Sequence, residues 1–393
     1  MKFVLEADDH DTRRALARLE LGPPFAIITA PPFGPRTKPK ALNVALPFAR
    51  GSFLVIYDAE DVPEPDQLRR VLDVFVTADD RLACVQASLT IDNTTDSWLA
   101  GMFTAAYAGQ FDALLPGLSA LQLPFPLGGS SNHFRTAALR RVGGWDAYNV
   151  TEDADLGIRL YRFGYYSAAV SSPTYEEAPA RFGPWLRQRT RWYKGWMQTW
   201  LVHMRRPGRL VRELTPLGAL AFQLFLACNV LAALVHPVFM LLLCTSLWAA
   251  PPMDAIRTMD AAPLFIATLL GGYLSTMAID VIGLKRRGLL AHSWVLVLTP
   301  VYWFLLSLAA WRALLQLIYD PQRWEKTEHG LASNSRRLRP RFRNQATRAG
   351  PVAPIGIMTT GGALMKLDGQ KLDGQSRRPA GTRPALAAVY RRT

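Results

Sequence analysis

The chain has 393 residues, a formal net charge of +14 and three cysteines, Cys84, Cys228 and Cys244. Cysteines so few and so scattered argue against a disulfide framework or a zinc site, and the length accommodates two ordinary domains. Half of the residues are hydrophobic, but their uneven placement divides the chain.

Residues 1–213 read as a soluble α/β region. KFVLEADD (2–9) and PFAIITA (24–30) are short apolar runs expected to be buried strands. GSFLVIYDAED (51–61) is a stronger strand signal ending in acid, and RLACVQASL (81–89) is another. Residues 37–50 and 65–78 have helical spacing, with Leu68, Val71, Leu72 and Phe75 on one face of the second. Strands alternating with helices imply a mainly parallel sheet with ligand sites at the carboxyl ends of its strands. Acids fall at two such ends, 8–9 and 58–61.

Residues 214–319 hold three apolar runs, 216–250, 263–284 and 293–311, close to or beyond the ~20 residues that cross a bilayer. No signal-like segment precedes the polar region, so a cytosolic head followed by membrane helices is expected. Residues 320–330 form a short polar segment. The tail, 331–393, is basic, rich in Gly and Pro, and contains the tandem repeat KLDGQKLDGQ. It has too few large apolar groups to offset ordering entropy and is expected to be largely disordered. Its charge, with that of Lys285–Arg287, favours the cytoplasmic face and anionic lipid. Nucleic acid is the weaker partner, because no aromatic-basic platform or nucleic-acid module accompanies the charge.

Five stretches carry candidate chemistry, each with a plain structural alternative. The turn Asp58-x-Glu60-Asp61 offers oxygen ligands to a hard divalent cation or is an acidic strand-to-helix turn. Lys38 and Lys40 in RTKPKALN sit where phosphate could meet a helix start, or in a solvated loop. Ser130, Ser131 and Asn132 in PLGGSSNHFR could bind a hydroxyl-rich ligand. In WDAYNVTEDADLGIRL, Thr151 fits an N-cap and Glu152, Asp153 and Asp155 complement a helix dipole, so capping alone accounts for the acids. In RQRTRWYKGWMQTW, tryptophans every four residues interleaved with cations describe an interfacial helix or a sugar-diphosphate surface.

The order of these stretches is more specific than any of them. Asp58-x-Glu60, Thr151-Glu152-Asp153 and Gln188-x-x-Arg191-Trp192, followed by membrane helices, resemble the pattern of family 2 glycosyltransferases of the cellulose-synthase-like, bacterial processive branch. KPKALN, GGWDAYNVTED and PQRWEKTEHG also match segments common there. The resemblance covers about residues 1–330 and implies a GT-A-like fold followed by an α-helical transmembrane region. It implies inverting transfer from UDP-glucose or a similar nucleotide-diphosphate sugar to a growing β-linked polysaccharide, or to a membrane lipid.

Carried over residue by residue, it makes Asp8 or Asp9 the acid near the donor's base and ribose, and Lys40 the group facing the diphosphate. Asp58 would contact the nucleotide, with Glu60, or its rival Asp61, on Mg²⁺ or Mn²⁺. Asp153 would be the general base, while Glu152, Gln188, Arg191 and Trp192 would bind acceptor. Residues 324–330 resemble a cytosolic gating segment, and a partner protein could export the product. The family's extra first strand is missing ahead of Met1, so the chain is expected to be N-terminally truncated; the alternative is a catalytically impaired membrane protein that binds nucleotide-sugar. Head and tail are expected inside the cell membrane, with two to four spans.

Overall fold

In the computed structural model, residues 1–249, 262–321 and 325 are described, with the backbone of 357–358, 364–365 and 386–390. In chain order the head contains β1 (Lys2–Glu6), α1 (His10–Ala17), β2 (Ala26–Ala30), α2 (Lys38–Ala45), β3 (Phe53–Asp58), β4 (Val62–Pro63), α3 (Gln67–Thr77) and β5 (Leu82–Ile91). It continues with α4 (Trp98–Ala108), a π-helical turn (Gly109–Leu114), α5 (Leu115–Ala120), β6 (Asn132–Arg135), α6 (Thr136–Arg141), α7 (Glu152–Arg162), β7 (Tyr166–Glu176) and α8 (Phe182–His203). Then come α9 (Pro207–Phe222), α10 (Asn229–Ala249), α11 (Ala262–Arg286), a 3₁₀ stretch (Leu290–Leu298) and α12 (Thr299–Tyr319). The tail adds β8 (Ile357–Met358), β9 (Leu364–Met365) and β10 (Leu386–Tyr390).

The main sheet runs β2-β1-β10-β3-β6-β5-β7-β4. The β1–β2, β1–β10, β10–β3 and β5–β7 pairs are parallel, and β6 and β4 pair antiparallel with their neighbours. The place between β1 and β3 is thus taken by a strand from the tail, with Lys2 opposite Ala388 and Leu54 opposite Leu386. Leu54 and Ile56 on β3, Leu89 on β5, Phe103 on α4, Phe134 on β6 and Leu156 on α7 close one core. Strand β3 is buried over Leu54–Tyr57 and emerges at Asp58, so the core delivers that carboxylate to the sheet's edge.

Among the described residues three stretches are long and apolar enough to cross a membrane: Pro207–Thr245, Leu264–Arg286 and Leu290–Tyr319. The first is broken at Thr215, where φ is +65° ahead of Pro216. Leu231, Leu241, Leu264, Leu270 and Leu274 stand exposed on α10 and α11, as expected of lipid-facing residues. Helix α12 instead lies along α8. Tyr302 Oη accepts from Arg189 at 3.0 Å, Arg312 reaches Thr190 at 3.1 Å, and Gln198 donates to the Pro321 carbonyl at 3.1 Å. The contacts advance together along both helices, so α8 and α12 run in the same direction.

Helix α8 also departs from the interfacial pattern its sequence describes. Arg189, Arg191 and Lys194 are buried, turned into the protein between head and α12. A basic-aromatic helix covered on two sides spends its cations on internal partners.

Candidate active site

The acid turn after β3 forms one side of the site. Asp58 pairs with Lys38, which is buried and also donates to the Gly129 carbonyl at 2.6 Å. Asp61 Oδ2 accepts the Asp58 N–H at 2.8 Å and the Ser130 hydroxyl. Burial, then the Asp58 charge, pushes the Asp61 carboxyl up to about 7, against the opposing pull of Ser130 and Lys38.

The antiparallel pair Val62–Tyr175 continues this turn onto the end of β7. The same register sets Asp61 beside Glu176, whose main-chain oxygen accepts the Asp92 N–H at 2.9 Å. Burial, the Asp61 charge, and the charges of Asp58 and Glu60 drive the Glu176 carboxyl well up, while a hydrogen bond from Tyr107 opposes them.

Asp153 forms the facing side. It lies in the first turn of α7, and its Oδ2 is 3.2 Å from where a Cβ on Gly129 would stand. Gly129 therefore joins the two sides: its carbonyl holds Lys38 and its Cα faces Asp153. Thr151 occupies the N-cap position, yet its hydroxyl does not cap the helix. It points to Asn149 Oδ1 at 3.4 Å, and Asp153 Oδ1 accepts the Ala154 N–H at 2.7 Å. Thr151 packs against Gly195, where a Cβ would collide with it, so α8 can approach the start of α7 only with glycine there.

Asp155 has another task. It is buried between Arg159 at 2.7 Å and His203 at 3.0 Å. Burial would raise its carboxyl, but the bond to His203 and the Arg159 charge outweigh that and hold it below the ordinary value. Asp155 ties α7 to α8.

An aromatic wall borders Asp153. Trp192 stacks on Tyr107 with ring centres 6.4 Å apart and meets Phe103 edge-on at 5.7 Å. The Arg189 guanidinium lies 4.3 Å from the Phe103 ring centre and 4.6 Å from Trp192. Gln188 and Glu152 are buried beside this helix pair. Arg191 donates to the Glu325 carbonyl at 3.3 Å, and the Glu325 carboxylate pairs with Arg312 at 2.6 Å. Apart from Glu325, residues 324–330 lie outside the described residues.

The remaining candidates sit further along the sheet edge. Lys40 pairs with Glu6 at 3.1 Å and donates to the Pro31 carbonyl at 2.9 Å, whereas Lys38 is the lysine against Asp58. Asp9 caps α1 by accepting the Thr12 N–H at 3.0 Å, and Asp8 faces Arg36 at 2.8 Å on the surface. Ser130, Ser131 and Asn132 are buried and bond within the protein, to Asp61, Thr174 and the Gly128 carbonyl. Sequence reasoning singled out neither Glu176 nor Tyr107, which lie far from each other and from the acid turn in the chain. Nor did it assign Arg189, although its place one turn from Trp192 was a usable signal.

The oxygen donors suit a hard cation. Asp61 Oδ1 is buried without a hydrogen-bond partner, and Mg²⁺ or Mn²⁺ is commonly held by one or two carboxylates with substrate phosphates supplying the rest. Among the described residues no three His, Cys, Asp or Glu side chains are grouped to hold a metal on their own.

Residues 53–319 match the family described as Glycosyl transferase family group 2. Similar proteins include Probable glycosyltransferase YdaM of Bacillus subtilis, 28% identical over 43% of this chain and 40% of that protein. Beta-monoglucosyldiacylglycerol synthase of Synechocystis sp. is 30% identical over 43% of this chain and 35% of its own length. Probable glucomannan 4-beta-mannosyltransferase 11 of Arabidopsis thaliana is 28% identical over 42% and 34%. The matched region thus spans less than half the length of these relatives. The structure of mannosyltransferase PcManGT from Pyrobaculum calidifontis, in complex with GDP-Man and Mn2+, aligns over 81% of this chain and 77% of that one, with TM-score 0.43 and 18% identity. The match to residues 53–319 takes in well over half of the chain and every element that carries the site from Asp58 to Trp192, and the chain belongs to glycosyl transferase family group 2.

Proposed function

We propose that the chain transfers a hexosyl group, with inversion, from a nucleoside-diphosphate sugar to a β-linked glycan at the cytoplasmic face of a bacterial cell membrane. The observation that carries this reading is the Lys38–Gly129 bridge. It places a metal-type acid turn and the Asp153 carboxylate on either side of one glycine, where a donor and an acceptor hydroxyl can meet. An alcohol is a weak nucleophile and needs a base within hydrogen-bond reach, and Asp153 fills that role. Asp58 and Lys38 orient the nucleotide, while Glu60 and Asp61 would hold a divalent cation. When bound, that cation supplies charge stabilisation for the departing diphosphate. Trp192, backed by the buried Tyr107 ring, faces the acceptor sugar, with Gln188, Glu152 and Arg191 around it.

A lipid acceptor is the second reading. It is favoured by the packing of α4 and its π-turn directly on membrane helix α11, which sets the aromatic wall next to the bilayer. The Synechocystis relative is named for a diacylglycerol product.

The placement of Arg286 and Arg287 against Asp112 of the head supports a two-crossing topology. In it α10 leaves the cytoplasm, α11 returns, and α12 lies on the head. Membranes carrying the full chain, given Mg²⁺ or Mn²⁺ and labelled UDP-glucose or GDP-mannose, test the function. Polymer supports the glycan acceptor, a single-sugar lipid supports the second reading, and donor binding without turnover of either substrate overturns both.

A further inference from the structure

The turn that ends α11 enters the head. The Arg287 side chain is only 8% exposed. Its Nε faces Asp112 in an ion pair, and its Nη2 donates to the carbonyls of Leu89 at 2.8 Å and Tyr107 at 3.4 Å. Arg286 donates to the Asp112 main-chain carbonyl, and the Ser88 hydroxyl donates to the other Asp112 oxygen at 3.0 Å.

Asp112 belongs to the π-helical turn Gly109–Leu114, and such turns displace a helix's register locally. One helical turn before Arg287, Gly283 lies directly on the backbone of Ala108 and Gly109, so a Cβ there would overlap them. At Gly283 the two backbones touch, and Asp280 and Ile279 of α11 lie against Gly109. Tyr107 is therefore fixed at three points: its carbonyl by Arg287, its ring by Trp192 and its hydroxyl by Glu176.

We propose that Arg287 is a positioning residue for the transfer reaction: from the end of a membrane helix it sets the Tyr107–Trp192 wall against the acceptor. A guanidinium suits the task because its forked donors serve a carboxylate and two carbonyls at once, which a lysine ammonium cannot reproduce. Removing one partner of a buried pair leaves the other uncompensated, so the π-turn would relax and the wall with it. The inference rests on the glycosyltransferase reading, and wild-type turnover in the assay above establishes that reading before any variant is made.

The test compares Arg287→Gln, Arg287→Lys and the exposed neighbour Lys285→Gln in full-chain membranes with the donor that turns over. Displacing a positioned substrate by about 1 Å costs roughly 10²-fold. Arg287→Gln is expected to lower kcat by about ten- to hundred-fold, with the donor KM within about twofold of wild type. Arg287→Lys should recover part of the loss, and Lys285→Gln should match wild type. A weaker near-ultraviolet dichroism of the stacked Trp192 should accompany the loss. The proposal is overturned if kcat is unchanged, if donor KM rises in step with the loss, or if Lys285→Gln behaves the same. Should Arg287→Gln not accumulate, Asp112→Asn removes the same ion pair with little change of volume and is judged by the same criteria.

Discussion

The chain handles buried acid in two opposite ways. At Asp155 both carboxylate oxygens are met by the chain itself, Oδ2 by the Arg159 guanidinium and Oδ1 by His203 Nε2. At the end of β3 the acids outnumber their cations. Asp58 has Lys38, while Asp61 faces the charge of Asp58, and Glu176 the charges of Asp61, Asp58 and Glu60. Both clusters flank helices and both look like helix-start acid in the sequence. The difference shows that a buried carboxylate is structural when its own chain neutralises it. It is a candidate for substrate or metal chemistry when neutralisation is left to something that binds.

Substitutions sharpen this contrast. The largest effect is expected at Asp153→Asn, which should lower turnover on the order of 10²- to 10⁴-fold, the usual contribution of a general base. Thermal unfolding and nucleotide binding should stay near wild type, and full activity in the variant would remove Asp153 from the mechanism. Asp155→Asn should do the reverse. It breaks a buried ion pair and should cost about 3 kcal/mol of stability, read as a lower denaturant midpoint, with near-normal turnover in the protein that stays folded.

Acidity separates the two clusters by sign. Asp155 is held below the ordinary carboxylate value of 3.8 in the folded chain, so its contribution is complete above that value and is lost as pH falls through the folded value. Asp61 is raised from 3.8 to about 7. Across that window the folded chain keeps a proton that the unfolded chain has released, so stability falls as pH rises. Unfolding of metal-free protein, followed downward from about pH 8 through the acid range, should show both slopes. Asp155→Asn should flatten the acid limb and Asp61→Asn the neutral one.

The smallest effects belong to the outer acids. Asp9→Asn keeps a good N-cap and should change stability by only a few tenths of a kcal/mol. Asp8→Asn breaks an exposed pair with Arg36 and should cost about 0–1 kcal/mol. The donor KM of the two variants then identifies which one meets the nucleotide.

What could be read from the sequence was local or ordered. Phe53–Asp58 is an apolar run closed by acid and became β3, and the helical face of Val71 and Phe75 became α3. The helix expected over 37–50 ends at Ala45 in a 3₁₀ turn because Pro47 has no N–H to continue it. The order of Asp58, Asp153 and Trp192 located the family, since those residues converge from separate elements.

Pairing across long sequence distances left no local trace. Glu176 ends a strand containing Pro173 and no clean alternation, and its partner Tyr107 is embedded in an almost wholly buried helix. The strand Leu386–Tyr390 lies in a tail whose composition points to disorder, yet its backbone joins the central sheet between the first strand and β3. The spacing of Lys38 and Lys40 treats them alike, and the family resemblance favours Lys40 for the diphosphate. Only the fold decided that Lys38 meets Asp58 while Lys40 meets Glu6.

The corner at Thr215 carries a cost that a stability screen would misjudge. A β-branched residue at φ +65° and ψ 162°, a region essentially reserved for glycine, gives up roughly 1–3 kcal/mol relative to glycine. Its hydroxyl accepts the Gly218 N–H at 3.3 Å and so starts the apolar helix that follows, recovering about 1 kcal/mol as a cap. Thr215→Gly would relieve the strain but lose the cap and add unfolded-chain freedom, about 0.5–1 kcal/mol, leaving the balance near zero. A corner that can be made pliable at almost no thermodynamic expense isolates stiffness as a variable. Whatever activity such a change removed would measure the angle between the head and the apolar helices, free of any change in how well the protein folds.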